Sequence, residues 1–355
     1  MKTLCIGKPN VGDRTRLHAH LDDILDRQRL TNNGPLVQEF EQRVAELTHA
    51  EHCIATCNGT IALEIAARAA GLIGEVIVPS WTFIATAHAL AWMGIKPVFA
   101  DVDPVSWCID PQAVKALITP ETTGILGVHL FGHFCNVRRL REIADEHRLA
   151  LLFDAAHTVG RDRDGVMGDA EVLSFHATKV CNSFEGGAII TNDEEIMGRA
   201  RLMRNFGFSA QDTVECLGVN GKMSEIHAAM GLTSLDSLKK FIMHNQRNYR
   251  LYHLRLNGLP GVKLRSSADN YHYIVLDVTE RRDELHRRLQ DAQILVRRYF
   301  YPGCHRSSPY DADGIQLPVT EDVAGRVLCL PSGMSVGEED IEKVCRIICK
   351  WLEVE

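Results

Sequence analysis

The chain has 355 residues, of which 45% are hydrophobic, and its formal net charge is −7. This length and apolar share are sufficient for one large and one smaller domain around a substantial core. The negative charge argues against a general nucleic-acid-binding role. No apolar run reaches the length of a signal-peptide core or a membrane span, so we expect no membrane association and a cytoplasmic location.

The eleven cysteines form no CxxC pair. The nearest pairs, Cys53 with Cys57 and Cys345 with Cys349, have spacings that suit adjacent turns or a strand edge better than zinc. We therefore expect reduced thiols in a reducing compartment and no metal site.

Helical and strand-like patterns alternate between about residues 36 and 205. This alternation is typical of an α/β fold in which helices cover a mostly parallel sheet. Polar residues follow directly after several strands, where open α/β sheets bind ligands. The predicted strands are residues 52–56, 76–78, 97–101, 124–129, 150–154, 171–175 and 188–191, and the predicted helices are 36–47, 60–70, 84–92 and 137–147.

The pattern changes after about residue 223, where one long helical stretch runs through Met230, Leu238 and Tyr249. A strand at 273–278 and helices at 282–291 and 338–352 follow. We expect a large domain of residues 1–239 and a smaller C-terminal α+β domain of residues 240–355. The N-terminal segment is available to pack on the small domain.

The segment ATCNGTIA, residues 55–62, places a glycine and small polar side chains between a predicted strand and a helix. Free backbone N–H groups and the positive end of the helix dipole at such a turn suit a phosphate group. A turn in which Asn58 or Thr60 merely caps the helix gives the same pattern.

Asp154 ends the apolar run LALLF, at the carboxyl end of a predicted central strand. A buried carboxylate needs hydrogen bonds or an opposite charge, and a pyridinium nitrogen is one such charge. His157 follows closely and is placed to order that carboxylate or to lie against a cofactor. Taken singly, Asp154 fits a loop cap or an ion pair better, and His157 fits a structural histidine.

The segment SFHATKVCNSFEGG, residues 174–187, follows another predicted strand and offers a hydroxyl, an imidazole and an amine. Lys179 taken singly is most simply a solvated cation. In a site that holds an aldehyde cofactor, its amine can form a Schiff base and later shuttle a proton. Gly186 and Gly187 allow the backbone to turn tightly beside it.

These three segments, in this order and at these separations, resemble the DegT/StrS group of nucleotide-sugar aminotransferases, which are fold-type I pyridoxal-phosphate enzymes. The resemblance covers almost the whole chain and implies a fold-type I aminotransferase-like architecture. It is carried by CNGT, VPSWTFIATAHAL, PVFADVD, GVHLFG, FDAAHTVG, SFHATK, EGGAIIT, RNFGF and GVNGKMSEIHAAMGL, then by YFYPGCH and VLCLPSG.

The resemblance implies roles for individual residues in holding pyridoxal 5'-phosphate. Lys179 matches the family's Schiff-base lysine, and Asp154 matches its partner for the pyridine nitrogen. Phe83 matches the aromatic residue that stacks on the pyridine ring. His157 replaces a glutamine that often follows the family's Asp-Ala-Ala sequence. The implied phosphate contacts are Gly59, Thr60, Ser174 and, from the neighbouring subunit of an obligate homodimer with shared active sites, Asn220.

Four further residues are weaker candidates for the substrate side of the pocket. For three of them surface or structural roles are equally open. For Trp81, whose side chain points away from that of Phe83 if the segment is extended, an ordinary core position is the better interpretation. The four candidates are Trp81, His176, Tyr301 and His305.

The form of several motifs is more like the 4-aminotransferase branch than the 3-aminotransferase or cyclitol branches. We therefore expect L-glutamate to convert the cofactor to pyridoxamine phosphate. The amine then passes to C4 of a nucleotide-linked 4-keto-6-deoxyhexose, expected to be dTDP-4-keto-6-deoxyglucose. The product is a 4-amino-4,6-dideoxy sugar of deoxysugar biosynthesis.

Several alternatives belong to other classes of function. An aminotransferase for a 3-keto sugar or a cyclitol would share the motifs. A non-catalytic sensor that binds a sugar nucleotide or pyridoxal phosphate would share the fold. Lys179 argues against the related sugar dehydratases, which carry histidine at that position. The glycines of IGKPNVG do not supply the GxGxxG of a nicotinamide oxidoreductase.

Overall fold

The computed structural model describes residues 3–310 and 314–352. Its strands are β1 (Leu4–Cys5), β2 (His52–Thr56), β3 (Glu75–Pro79), β4 (Lys96–Ala100), β5 (Thr122–Val128), β6 (Ala150–Asp154), β7 (Ala170–Ser174), β8 (Gly187–Thr191), β9 (Phe208–Ala210), β10 (Thr213–Val214), β11 (Val262–Leu264), β12 (Ile274–Val278), β13 (Ile294–Leu295) and β14 (Val327–Leu330). Its α-helices are α1 (Arg14–Arg27), α2 (Pro35–Thr48), α3 (Gly59–Ala69), α4 (Ala85–Trp92), α5 (Pro111–Leu117), α6 (Val137–His147), α7 (Glu194–Arg204), α8 (Glu225–Asp236), α9 (Leu238–Leu256), α10 (Arg282–Asp291), α11 (Pro318–Arg326) and α12 (Glu338–Leu352).

A mixed seven-stranded sheet lies at the centre, in the order β2-β8-β7-β6-β5-β3-β4. Strands β4, β3, β5, β6 and β7 are parallel, and β8 is antiparallel to both of its neighbours. Because β2 therefore runs in the same direction as β7, both strands end at the edge where β8 begins. Thr56 and Ser174 each pair with Gly187 there.

The central strands are buried on both faces, as a parallel sheet covered by helices requires. Leu152 packs in a core with the apolar residues of α3. Its neighbours Leu151 and Phe153 point to the other face and pack with Leu140 and Ile143 of α6. The alternation of side-chain direction along β6 thus supplies both halves of the core.

A second, antiparallel sheet has the order β11-β12-β14, and a parallel pair joins β1 to β13 through Leu4 and Ile294. The N-terminal strand therefore lies against the C-terminal part of the chain. The predicted domain boundary at residue 240 falls near the start of α9. Phe241 of that helix packs in the core below the central sheet, whereas Tyr252 packs in the C-terminal core.

The strands and helices predicted from the sequence are present, with ends that differ by a few residues. The single helical stretch expected after residue 223 is wrong in one respect, because α8 and α9 are separate helices divided at Ser237. Helices α1, α5, α7 and α11 were not predicted. For α7 the signal was available, since Asp193 caps it by accepting hydrogen bonds from the N–H groups of Glu195 and Ile196. Within the two described ranges no helix is long and apolar enough to cross a membrane.

The start of β8 passes unusually close to the turn between β2 and α3. A Cβ atom added to Gly187 would lie 2.4 Å from the carbonyl oxygen of Asn58 and 2.7 Å from the nitrogen of Gly59. Both contacts are with backbone, which cannot move aside as a flexible side chain can. Glycine at position 187 therefore allows the two backbones to meet at the edge of the sheet.

We predict that Gly187→Ala lowers the free energy of unfolding by about 1–3 kcal/mol, because the added methyl group overpacks this contact. Gly198→Ala is the matched control, since a Cβ atom at this position of α7 meets no atom within 4 Å. The control should be neutral or stabilising by about 0.5–1 kcal/mol. Urea unfolding of both variants checks the prediction, and equal stability of the two would contradict it.

Candidate active site

The turn after β2 and the end of β7 form one surface at the edge of the central sheet. Asn58 caps α3, and its side-chain oxygen accepts a hydrogen bond from the N–H of Ile61 at 2.9 Å. Gly59 and Thr60 are thus the first residues of the helix, where backbone N–H groups lack partners within the helix. A Cβ atom on Gly59 would lie 3.3 Å from that of Ser174. The structure therefore brings together the three residues expected to contact a phosphate from the same subunit.

Asp154 lies at the end of β6, and its side chain is buried. Oδ2 accepts a hydrogen bond from the hydroxyl of Thr86 at 2.8 Å, and Oδ1 accepts one from the N–H of Ala156 at 3.1 Å. Burial raises the pKa of Asp154, and these two hydrogen bonds and the charge of Lys179 oppose the rise. The carboxylate is therefore held in place with a strong preference for a positive partner.

Lys179 lies in the turn after β7, where its N–H donates to the carbonyl of His176 at 2.8 Å. Its Nζ lies 3.5 Å from the hydroxyl of Tyr273, at the outer limit of a hydrogen bond. Burial lowers the pKa of Lys179 to about 8, and the carboxylate of Asp154 opposes the decrease. An amine with such a pKa is available both as a nucleophile and as a proton carrier near neutral pH.

His157 is buried beside this pair, and its Nδ1 accepts a hydrogen bond from the backbone N–H of Phe131 at 3.1 Å. Burial and the nearby charges of Lys179 and His272 hold the pKa of His157 well below its usual value. The ring is therefore neutral and carries its proton on Nε2. Its centroid lies 4.7 Å from that of Tyr273 in an edge-on contact.

Phe83 and Trp81 differ sharply in their surroundings. Phe83 has 56% of its surface exposed, so its ring is accessible to a stacking partner. Its ring centroid lies 6.4 Å from that of Phe300. Trp81 is only 1% exposed and packs edge-on against the rings of Trp107 and Phe131. In this chain Trp81 presents no surface to a substrate, and the core interpretation describes it better.

His305 is likewise inside the protein, with 1% of its surface exposed. Its Nδ1 lies 2.5 Å from the hydroxyl of Ser80, and its Nε2 lies 3.0 Å from a carboxylate oxygen of Glu321. Both ring nitrogens are thus occupied, so the geometry gives His305 no free group for a sugar. Its backbone N–H also donates to Ser80 Oγ, which fastens the segment around residue 305 to the strand that leads to Phe83.

Tyr301 and His176 lie at the surface. Tyr301 is 50% exposed, and the guanidinium groups of Arg282 and Arg298 lie 5.1 and 4.8 Å from its ring centre. It lines a cleft of about 700 Å³ together with Phe83. His176 bonds to Thr178 through Nδ1 at 2.8 Å, and its Nε2 lies 3.4 Å from a carboxylate oxygen of Glu185. Tyr301 thus borders an open cleft, whereas both ring nitrogens of His176 have partners in the chain.

Asn220 is exposed and forms a bridge with Asn205. The carbonyl of Gly221 beside it accepts a hydrogen bond from the N–H of Cys57 of the same chain at 2.8 Å. The segment therefore approaches the turn at the start of its own α3. Its role toward a neighbouring subunit stays a prediction.

Two site residues were missed by the sequence reasoning. Tyr273, next to β12, reaches Lys179 from the C-terminal part of the chain, and no periodic pattern marks it. Thr86 also lacked a periodic signal, because Thr82 precedes α4 and the two threonines do not share a helix. Within the described part of the chain no group of three or more His, Cys, Asp or Glu residues is placed to hold a metal ion.

The amine of Lys179 and the buried carboxylate of Asp154 lie at the carboxyl edge of this mixed sheet, as the resemblance of the sequence to aminotransferases implies. The model of the DegT/DnrJ/EryC1/StrS aminotransferase family matches residues 13–349, and the chain belongs to this family. It is 36% identical over 361 residues to the dTDP-4-amino-4,6-dideoxy-D-glucose transaminase of Shigella dysenteriae, with 98% of each chain covered.

Solved structures share the whole fold. The crystal structure of DesI in the presence of its TDP-sugar product matches with a TM-score of 0.96 and 46% identity, over 100% of this chain and 94% of that one. The structure of NtdA from Bacillus subtilis with the bound cofactor PMP matches with a TM-score of 0.89 and 28% identity, over 96% of this chain and 82% of that one. The fold-type I architecture expected from the sequence is confirmed.

We predict that Lys179 in the cofactor-free protein reacts with an acylating reagent at half its limiting rate near pH 8, because burial favours its neutral form. Lys96 serves as the internal control, since its pair with Glu75 raises its pKa. Asp154→Asn should move the midpoint for Lys179 to lower pH, because it removes the negative charge that favours the ammonium form. Peptide mapping by mass spectrometry measures both, and a midpoint near the ordinary value of 10.5 would contradict the prediction.

Proposed function

We propose that the chain binds pyridoxal phosphate at Lys179 and transfers the amino group of L-glutamate to C4 of dTDP-4-keto-6-deoxyglucose. One observation carries the proposal: Lys179, the buried carboxylate of Asp154 and the turn at Gly59 lie at the same edge of the central sheet. The named activity of the Shigella dysenteriae relative and the TDP-sugar product of DesI support the choice of sugar.

The residues present fit the cofactor by their chemistry. Gly59 places no side chain between the N-terminus of α3 and Ser174, and Gly187 allows β8 to lie against that turn, so the backbone N–H groups of the helix can approach a phosphate. Asp154 accepts one hydrogen bond on each oxygen and still prefers a positive partner, which a protonated ring nitrogen supplies. The exposed ring of Phe83 offers a flat apolar face for stacking.

When bound, pyridoxal phosphate supplies an electrophilic carbon and a ring that withdraws electrons. Lys179 would hold it covalently, and the amine of Lys179 would move a proton at the substrate carbon. Asp154 would keep the ring nitrogen protonated, and Thr60 and Ser174 would bind the phosphate. The neutral ring of His157 donates a hydrogen bond only through Nε2, since Nδ1 is occupied by the N–H of Phe131.

The same proposal includes a homodimer and a cytoplasmic location. Five large apolar side chains are exposed along the hairpin formed by β9 and β10 and its flanks, and a second copy is the partner that would cover them. All eleven cysteines are free thiols, as expected in a reducing compartment. The five side chains are Phe206, Phe208, Val214, Leu217 and Val219.

The substrate assignment predicts which ketone accepts nitrogen. Given glutamate and the 3-keto and 4-keto isomers of dTDP-6-deoxyglucose separately, the enzyme should convert the 4-keto isomer, and NMR of the product should locate nitrogen at C4. Lys179→Ala should fold normally but lose about a thousandfold or more in rate, because it lacks the amine that carries the proton. Lys240→Ala, at an exposed position of α9, is the control. Conversion of only the 3-keto sugar or of a cyclitol ketone would overturn the assignment.

The shared site predicts complementation between two defective variants. In a mixed dimer of Lys179→Ala and Asn220→Ala chains, one site carries both defects and the other carries neither if Asn220 acts on the partner's phosphate. Mixing with subunit exchange should therefore restore about one quarter of wild-type activity. If Asn220 acts within its own chain, the mixture should show only the average of the two parent activities.

A further inference from the structure

Two threonine hydroxyls form a hydrogen-bonded line that ends on Asp154. The Oγ1 atoms of Thr82 and Thr86 lie 2.9 Å apart, and Oγ1 of Thr86 lies 2.8 Å from Oδ2 of Asp154. All three side chains are buried, and Thr86 has no exposed surface. The line connects the turn that presents Phe83 to the carboxylate at the end of β6.

The direction of this line follows from the chemistry of its end. An ionised carboxylate can only accept, so the single hydroxyl proton of Thr86 must point at Asp154. The oxygen of Thr86 is then left to accept, and Thr82 donates to it. A proton on Oδ2 of Asp154 would reverse the line, since Asp154 would then donate to Thr86 and Thr86 to Thr82. The line favours the ionised form because a hydrogen bond to a charged carboxylate is stronger than one between neutral groups.

Thr86 differs in this respect from two other buried helical threonines and resembles Thr320 of α11, whose hydroxyl donates to Asp101 at 2.7 Å. Thr48 and Thr233 donate to carbonyls of their own helices, Val44 at 2.8 Å and Ala229 at 2.9 Å. That contact is the common one for a threonine inside a helix. Thr86 instead stands in the first turn of α4, with Thr82 outside the helix, and its proton is directed at another element.

The other titratable groups that face Asp154 do not by themselves keep its carboxylate ionised throughout the reaction. Lys179 is the cation among them, His157 is held neutral, and burial holds the pKa of Tyr273 well above its usual value. Lys179 supplies that cation only while its amine is protonated and unbound. When Lys179 is neutral or covalently bound, Asp154 keeps two hydrogen-bond donors, the N–H of Ala156 and the hydroxyl of Thr86.

We propose that Thr86 is a positioning residue for Asp154, and that Thr82 fixes the direction of its hydroxyl, so that the carboxylate stays ionised and aimed at the cofactor's ring nitrogen. The inference rests on the proposed function of Asp154 and adds the residues that maintain it. Thr86 touches neither the substrate nor the cofactor and acts through Asp154.

The test is Thr86→Val, which removes the hydroxyl and nearly preserves the side-chain volume. In cofactor-free protein with ¹³C at the aspartate carboxyl carbons, the Asp154 signal, identified by its loss in Asp154→Asn, should titrate at a higher pH than in the wild type. The hydrogen bond lowers the pKa of Asp154, so its removal raises that pKa. The affinity for pyridoxal phosphate should fall by roughly tenfold to a hundredfold.

The holoenzyme should show the same change. Amino transfer is lost as Asp154 takes up a proton, so the acid limb of the profile of kcat against pH should move to higher pH in Thr86→Val. The KM for the keto sugar should change little. Thr86→Ser should restore the wild-type profile because it keeps the hydroxyl, and Thr82→Val should give a smaller shift in the same direction.

Thr48→Val is the matched control for losing a buried threonine hydroxyl, and its titration should match the wild type. If Thr86→Val does not fold, Thr82→Val and Thr86→Ser carry the test by the same titration. An Asp154 signal in Thr86→Val that overlays the wild type, or a serine variant as impaired as the valine variant, overturns the inference. Normal activity of Asp154→Asn with full cofactor occupancy would instead remove the proposed function of Asp154 itself.

Discussion

The burial of one charge, that of Asp154, is the constraint on which the site depends. Removing a carboxylate from water is costly unless hydrogen bonds and an opposite charge replace the water. The same burial acts in the opposite sense on Lys179, since it raises the pKa of the acid and lowers that of the base. Their mutual attraction opposes both shifts. Each group therefore favours the charged form of the other.

The topology of the sheet explains why residues far apart in the chain can share this constraint. Asp154 ends β6 and Ser174 ends β7, and the two strands are parallel neighbours. Strand β8 then runs back, so that Gly187 pairs with both Ser174 and Thr56. The turn at the start of α3 is thereby placed beside the strand that precedes Lys179. A mixed sheet with one reversed strand joins three loops into one surface.

Much of this arrangement could be predicted from the sequence, because periodicity marks the strands and polar residues follow them. The run LALLF located Asp154 at a strand end, and the structure has β6 ending at that residue. The opposite directions of Trp81 and Phe83 were expected for an extended segment, and the structure has Trp81 buried and Phe83 exposed. The partners of Trp81 could not be predicted, because Trp107 and Phe131 come from other parts of the chain.

Long-range pairing explains the remaining misses. His305 was a weaker substrate candidate for which a structural role was equally open, and Ser80 and Glu321, which no local pattern connects to it, take both of its ring nitrogens. Tyr273 reaches Lys179 only because α9 carries the chain from the central sheet to the C-terminal one. Its ring, with those of His157, Phe131 and Phe300, forms a wall from four separate elements. Because Tyr273 of this wall contacts Lys179, the wall contributes to the burial that lowers the pKa of Lys179 and raises that of Asp154.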